Sequence, residues 1–255
     1  MKEYKKLAKK PTFSLKDVVA LTGNESTATS LISRWLKKKY FVRIRKGLYT
    51  CVDFTTGAIV ANKYQIASAI NEESYVSHHT ALEFYGLANQ VYNVVYVSSK
   101  YRFNNFSFMG ISYKYVKSAF DDGIINVKNI EGIKITDKER SYIDSANLLS
   151  KIGGVEEFIY NTKMIEELDE EKLLNYLDKY NKKVLYQKVG FFLKNYYNGE
   201  NLSHEFFDLC HLRSAQSVRY LIQGREGKLD NEWNLVVPEE FTPKKNEREE
   251  PDEYI

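Results

Sequence analysis

The chain has 255 residues, 43% of them hydrophobic and 14% aromatic, which is enough apolar material for one or two ordinary cores and excludes an intrinsically disordered protein. Charged residues make up 28%, and no apolar run approaches the roughly 18 residues that span a bilayer, so a soluble protein without a membrane partner is expected. Met1-Lys2-Glu3-Tyr4-Lys5-Lys6 opens the chain with no apolar segment or small-residue cleavage site behind it, which reads as cytoplasmic. Cys51 and Cys210 stand far apart without C-x-x-C spacing and read as packing residues.

The formal net charge of +3 conceals an asymmetry. Residues 1–50 carry 13 basic and 3 acidic groups, a net of +10, whereas the remainder carries 24 basic and 31 acidic groups, a net of −7. Such a split directs the first segment toward a polyanion, the alternative being a merely solvated basic face.

In chain order, a lysine-rich opening helix is expected to end at Pro11. Leu15, Val18 and Val19 then fall at i, i+3 and i+4 of a short amphipathic helix. Thr22-Gly23-Asn24 supplies a stop, after which Glu25 or Ser26 is expected to cap a second helix with Ala28, Leu31, Ile32, Trp35 and Leu36 on one face. Segments 40–44 and 48–52 alternate like strands around Arg45-Lys46-Gly47. Helix, helix, turn, helix and basic hairpin describe a winged helix-turn-helix over residues 1–55.

A recognition helix buries one apolar stripe and presents short polar and cationic side chains to a DNA groove. Thr27, Thr29, Ser30 and Ser33 are the expected hydroxyl contacts, Arg34, Lys37 and Lys38 the expected cations of the helix, and Arg43, Arg45 and Lys46 those of the wing. A protein-docking winged helix is the alternative use of the same topology.

Residues 56–165 read as a mixed α/β domain. A helix is expected within 58–70, a strand at Tyr75-Val76, a Ser77-capped helix ending at Gly86, strands at 91–98, 106–116, 124–127 and 130–135, and a helix capped by Thr136 with Ile143, Ala146 and Leu149 facing inward. Residues 166–241 read as a helical extension with helices at 170–180, 183–197 and 203–212, after one at 155–162, and a late hairpin of 218–222 with 233–237. Residues 242–255 read as a disordered tail. The expected fold class is α+β: a winged helix followed by a mixed α/β domain with a helical C-terminal part.

Three stretches resemble the AbiEi-type antitoxins and related transcriptional regulators of bacterial abortive-infection, type IV toxin–antitoxin systems. They are the hairpin Val42-Arg43-Ile44-Arg45-Lys46-Gly47-Leu48-Tyr49, the stretch Tyr75-Val76-Ser77-His78-His79-Thr80-Ala81-Leu82 with Tyr85-Gly86-Leu87, and Ile135-Thr136-Asp137-Lys138-Glu139-Arg140-Ser141-Tyr142-Ile143-Asp144 followed by Gly153-Gly154. The match covers residues 1–160. The resemblance implies a phage-defence antitoxin, a DNA-binding repressor of its own operon, with a separately encoded nucleotidyltransferase-like toxin as genetic partner and no stable complex with it. Two copies are expected to meet on an inverted repeat of double-stranded DNA in the chain's own promoter.

Other chemistries are poorly supplied. His79 and Glu83, at i and i+4, could offer two metal ligands, but a hydrogen-bonded histidine at a helix start is the simpler reading. Arg140 and Asp144 share a helix face and read as an ion pair or as a pin for the preceding loop. Glu131 and Lys134 fall on opposite faces of a strand, against the converging carboxylates and lysine of a metal-dependent nuclease, and no phosphate-cradling loop or nucleophile elbow occurs. Neither an enzyme nor a cofactor is expected; a DNA-processing enzyme is the remaining alternative.

Overall fold

The computed structural model describes residues 2–243; the expected disordered tail lies outside the described residues apart from Thr242 and Pro243. The architecture is α+β, with three sheets and ten α-helices among the described residues. The chain clusters into two compact units, one of residues up to Gly86 with Gln90–Ser141, the other of Leu87–Asn89 with residues from Tyr142 onward.

The first unit opens with α1 (Lys2–Leu7), β1 (Phe13–Ser14), α2 (Leu15–Thr22), α3 (Glu25–Lys37), β2 (Phe41–Arg45) and β3 (Leu48–Cys51). The opening helix stops at Leu7, short of Pro11. At α2, Ser14 and Asp17 form a reciprocal capping box, and Gly23 takes the left-handed backbone (φ +73°) that closes the helix. Asn24, not Glu25 or Ser26, caps α3: its side-chain oxygen accepts from the Thr27 N–H at 3.1 Å, an amide oxygen reaching the helix end on a shorter arm than a glutamate. Val18, Ala28, Leu31, Ile32 and Trp35 bury together with Tyr4, Leu7, Phe13 and Phe41. The strands form an antiparallel sheet in the order β1-β3-β2, closed by a Lys46-Gly47 turn in which Gly47 has φ +82°.

After α4 (Lys63–Ser68), a six-stranded mixed sheet is built from β4 (Tyr75–Val76), β5 (Val94–Ser99), β6 (Phe106–Phe108), β7 (Ile111–Lys117), β8 (Ile124–Asn126) and β9 (Lys134–Thr136), in the order β6-β7-β5-β4-β9-β8, with α5 (His78–Phe84) between β4 and β5. The helix expected over 58–70 is confined to α4, because the Asn62 side chain takes the N–H groups of Tyr64 and Gln65 and fixes the start there. The single strand expected over 106–116 is a hairpin: Met109 (φ +47°) and Gly110 (φ +79°) make a two-residue turn of the left-handed kind that matches strand twist. The strand expected over 130–135 is β9 alone, so Glu131 lies outside it.

Ser77 stands at the α5 start without capping it, its hydroxyl bonding Ser98 Oγ at 2.7 Å instead. For α6 (Lys138–Asn147) the capping group is Asp137, whose carboxylate accepts from the Arg140 N–H at 2.8 Å, while Thr136 bonds Ser141 Oγ at 2.7 Å. Ile44 and Leu48 of the basic hairpin belong to the sheet's core, with Val76, Val95, Val97, Tyr113 and Ile135. The boundary expected after residue 55 thus falls inside a compact unit.

The second unit contains α7 (Val155–Met164), α8 (Glu170–Tyr180), α9 (Lys183–Tyr196) and α10 (His204–Arg213). Asp169 caps α8 and Asn181 ends it in the left-handed conformation, so the turn into α9 falls at Asn181-Lys182 as the sequence indicates. Leu173, Leu177, Leu185, Val189 and Phe192 are buried, and Phe158 meets Phe192 edge-on at 4.7 Å between centroids. The late hairpin is replaced by a three-stranded sheet in which β12 (Leu235–Val237) lies between β10 (Arg219–Tyr220), parallel to it, and β11 (Lys228–Asp230), antiparallel to it. Trp233 is not in a strand; it is buried against Gly190 of α9 and stacks on His211 at 3.8 Å.

Candidate nucleic-acid interface

The two faces of α3 separate cleanly. Ala28, Leu31, Ile32 and Trp35 fill the core, which turns Thr27, Thr29, Ser30, Ser33, Arg34, Lys37 and Lys38 outward, all of them exposed. Six of these, Thr29, Ser30, Ser33, Arg34, Lys37 and Lys38, line one open concavity of about 520 Å³ that no carboxylate enters. Thr27 lies outside it, its N–H already committed to the Asn24 cap. The cations Arg34, Lys37, Lys38 and Lys46 make no ion pair among the described residues. Other lysines of the first unit do find carboxylates, Lys10 with Asp17 at 2.6 Å and Lys63 with Glu83.

The hairpin divides its three cations. Arg43 and Lys46 are exposed, whereas Arg45 is half-buried, with its guanidinium 5.1 Å from the Phe106 ring centroid and 5.7 Å from that of Phe103. The cause is a bulge in β2 between Arg43 and Arg45. It breaks the two-residue alternation, so that Phe41 and Ile44 both face inward and the arginines no longer share a face. Arg45 therefore stands apart from the other nine residues singled out in the sequence, as a packing cation.

The alternative chemistries are occupied by structural contacts. His79 packs against the Tyr92 ring at 4.5 Å, and Glu83 receives the Tyr64 hydroxyl at 3.0 Å in addition to Lys63. Among the described residues no group of three or more His, Cys, Asp and Glu side chains could hold a metal ion. Arg140 pins the loop before α6: it donates to the Asp122 carbonyl at 2.6 Å and lies 3.4 Å from the Phe120 ring centroid. Asp144 accepts from the Tyr180 hydroxyl at 2.5 Å. Cys51 and Cys210 are buried, and burial pushes both thiols up to about 12, away from the thiolate that nucleophilic chemistry needs.

A second cation-lined cavity, in the second unit, joins the start of α9 to β10 and has no counterpart in the sequence reading. Its one local signal was the pair Lys182-Lys183, which reads as an ordinary polar turn; Lys188 and Arg219 join it only through folding.

No protein-family model matches the chain, and no curated protein matches it. Among solved structures, the crystal structure of the RV2827C protein from Mycobacterium tuberculosis is similar, with a TM-score of 0.65 over 91% of this chain and 89% of that one, at 13% sequence identity. At that identity the likeness concerns the α+β fold alone. Among the described residues no helix is long and apolar enough to cross a membrane.

Proposed function

We propose that the chain is a sequence-specific, double-stranded-DNA-binding transcriptional repressor. In this reading residues 1–55 act as a winged helix-turn-helix with α3 as the reading helix. The observation that carries the reading is the concavity on α3, in which three hydroxyls and three cations, unpaired among the described residues, are presented from one helix and its C-cap while the opposite stripe is core. A helix of this kind enters a major groove about 12 Å wide, its hydroxyls and Arg34 toward base edges and its lysines toward phosphates. Arg43 and Lys46 extend the positive surface on the hairpin.

The resemblance to AbiEi-type antitoxins supplies the rest of the proposal: repression of the chain's own toxin–antitoxin operon, with a separately encoded nucleotidyltransferase-like toxin. One reading module buries only about 600–1,000 Å² on DNA, so two copies on an inverted repeat are needed for tight binding.

The test uses the full chain, a fragment of its own promoter and a scrambled duplex, with fluorescence anisotropy across a salt series. With about five phosphate contacts the slope of log K against log salt is roughly −4 to −5. Thr29→Ala, Ser33→Ala and Arg34→Ala narrow the gap between promoter and scrambled DNA, by about 1–3 kcal/mol where a bidentate contact is lost. Footprinting of the promoter then shows two protected half-sites. A flat salt response, or equal affinity for promoter and scrambled duplex, overturns the proposal.

A further inference from the structure

The cavity at the start of α9 is lined by Lys182, Lys183, Lys188 and Arg219, with Tyr220 and Gln223 at its side, and has a volume of about 590 Å³. Among the described residues no carboxylate lines it. Lys183, Lys188 and Arg219 make no hydrogen bond or ion pair with any side chain among the described residues, while Lys182 donates only to the Asn147 side-chain oxygen, at 2.8 Å. Elsewhere in the second unit exposed arginines have carboxylate partners: Arg213 with Asp178 at 2.7 Å and Arg225 with Glu240 at 2.8 Å. Four converging cations without a counter-charge are thus an exception within a part of the sequence whose net charge is negative.

The arrangement is held firmly. Gln187 is fully buried, and its side-chain N–H groups donate to the carbonyls of Ala215 at 3.1 Å and Trp233 at 3.0 Å, which ties the approaches to β10 and β12 onto α9. Parallel pairing of Arg219 with Leu235 then fixes the Arg219 backbone. Lys188 is half-buried, and burial lowers its ammonium below the ordinary lysine range, the mark of a charge held without compensation. The 14-residue α9 also starts here without a side-chain cap, the Leu185 N–H turning back to the Lys182 carbonyl at 2.8 Å, and the start of a helix favours an anion.

We propose that this cavity binds a nucleoside polyphosphate, its phosphates held by Lys182, Lys183, Lys188 and Arg219 and its base laid against Tyr220. The volume falls within the range of about 300–1,000 Å³ usual for small-molecule sites. Four cations match the three to four negative charges of a nucleoside triphosphate. Backbone phosphates of a duplex carry one charge each on a convex surface, and suit a recessed, half-buried ammonium less well. Tyr220 is 45% exposed and offers a ring face, and Gln223 offers an amide to a base edge. The proposal does not depend on the DNA-binding reading of α3.

Isothermal titration calorimetry of the full chain with ATP, pyrophosphate and adenosine tests it. ATP is expected to bind more tightly than pyrophosphate, and adenosine not detectably. Lys188→Met and Arg219→Ala each raise the Kd for ATP about tenfold, the usual loss for one charge-assisted contact, while Arg34→Ala on α3 leaves it unchanged. Lys188→Met is expected to melt no lower than the unaltered chain, which separates loss of binding from loss of fold. The proposal is overturned if ATP does not bind, if neither substitution moves its Kd, or if pyrophosphate binds as tightly as ATP. It is overturned as well if Lys183→Ala and Lys188→Met weaken binding of a duplex while ATP shows no binding, since the cations then serve nucleic-acid phosphates.

Discussion

The two carboxylate-free concavities hold positive charge in different ways. On α3 the polar side chains that line the concavity come from one helix and its C-cap residue Lys38 and are exposed, so each cation keeps its hydration. Such charges act as a field, strong toward a polyanion and weakened by salt. At α9 the cations come from a helix start, from one turn further along and from a strand more than thirty residues later, and Lys188 is partly withdrawn from water. An ammonium held that way without a partner lowers stability until an anion arrives. The difference fits the ligands proposed for them: an exposed field suits a long, regular polyanion, and a recessed cluster suits a compact and highly charged one.

The largest effect is expected at the hairpin. Leu48 is 7% exposed and shares the core of the six-stranded sheet, so Leu48→Ala is expected to cost about 2–5 kcal/mol by chemical denaturation. DNA affinity falls with it and ATP binding is retained. For the same reason a fragment of residues 1–55, with Ile44 and Leu48 stripped of their partners, is expected to be far less stable than the full chain; equal stability would show that the hairpin needs no sheet.

Gly190→Ala acts on the other region. An added Cβ would lie 2.1 Å from two atoms of the buried Trp233 ring, so Trp233 and the segment that carries it must move, at about 1–3 kcal/mol. ATP binding is expected to fail while the salt slope on DNA is unchanged; loss of both together would mean that the two regions are not separable.

Arg43→Ala and Arg45→Ala sharpen the account within the hairpin. Arg43→Ala is expected to reduce the salt slope on DNA by about 0.9 without changing the melting temperature. Arg45→Ala is expected to leave the slope alone and cost about 1 kcal/mol of stability, through its contact with the Phe106 and Phe103 rings.

The smallest effect concerns Asp17. Burial pushes its carboxyl up, but hydrogen bonds from Lys10 and from Ser14 pull it further down, so its net position is below the ordinary carboxylate range. A carboxyl lowered on folding contributes stability above its unfolded pKa and loses that contribution as pH falls through the lower folded value. Asp17→Asn is therefore expected to be less stable than the unaltered chain at pH 7, by at most about 1 kcal/mol for a partly exposed cap and ion pair. The difference should shrink and then vanish as the pH falls through the lowered value of the folded Asp17 carboxyl; a gap that persists in stronger acid would assign the loss to packing.

Much of this could be read before folding was known, where the determinants lie within one turn of helix. The apolar stripe of α3, the α8 helix from Glu170 to Tyr180 and its exit at Asn181 depend on neighbours three or four residues apart, and the structure repeats them. The caps lie a residue or two from where the sequence places them, at Asn24 and Asp137, because several polar side chains near a helix start compete and only the backbone geometry chooses among them. The hairpin at Met109-Gly110 leaves only a change of phase in the sequence: Phe106 and Phe108 share a face with Ile111 and Tyr113, so the inward positions switch from even to odd across the turn.

What the sequence determined by itself was therefore local: the α+β class, the polar and cationic face of α3, the basic hairpin and the long helices of the second unit. Tertiary structure decided the rest. Ile44 and Leu48 bind the hairpin into the sheet's core, the bulge withdraws Arg45 onto Phe106 and Phe103, and parallel pairing of β10 with β12 brings Arg219 to Lys188. Such outcomes depend on contacts between residues tens of positions apart, whose strength comes from burial in a shared core, and periodicity along the chain carries no record of which distant surface a side chain will meet.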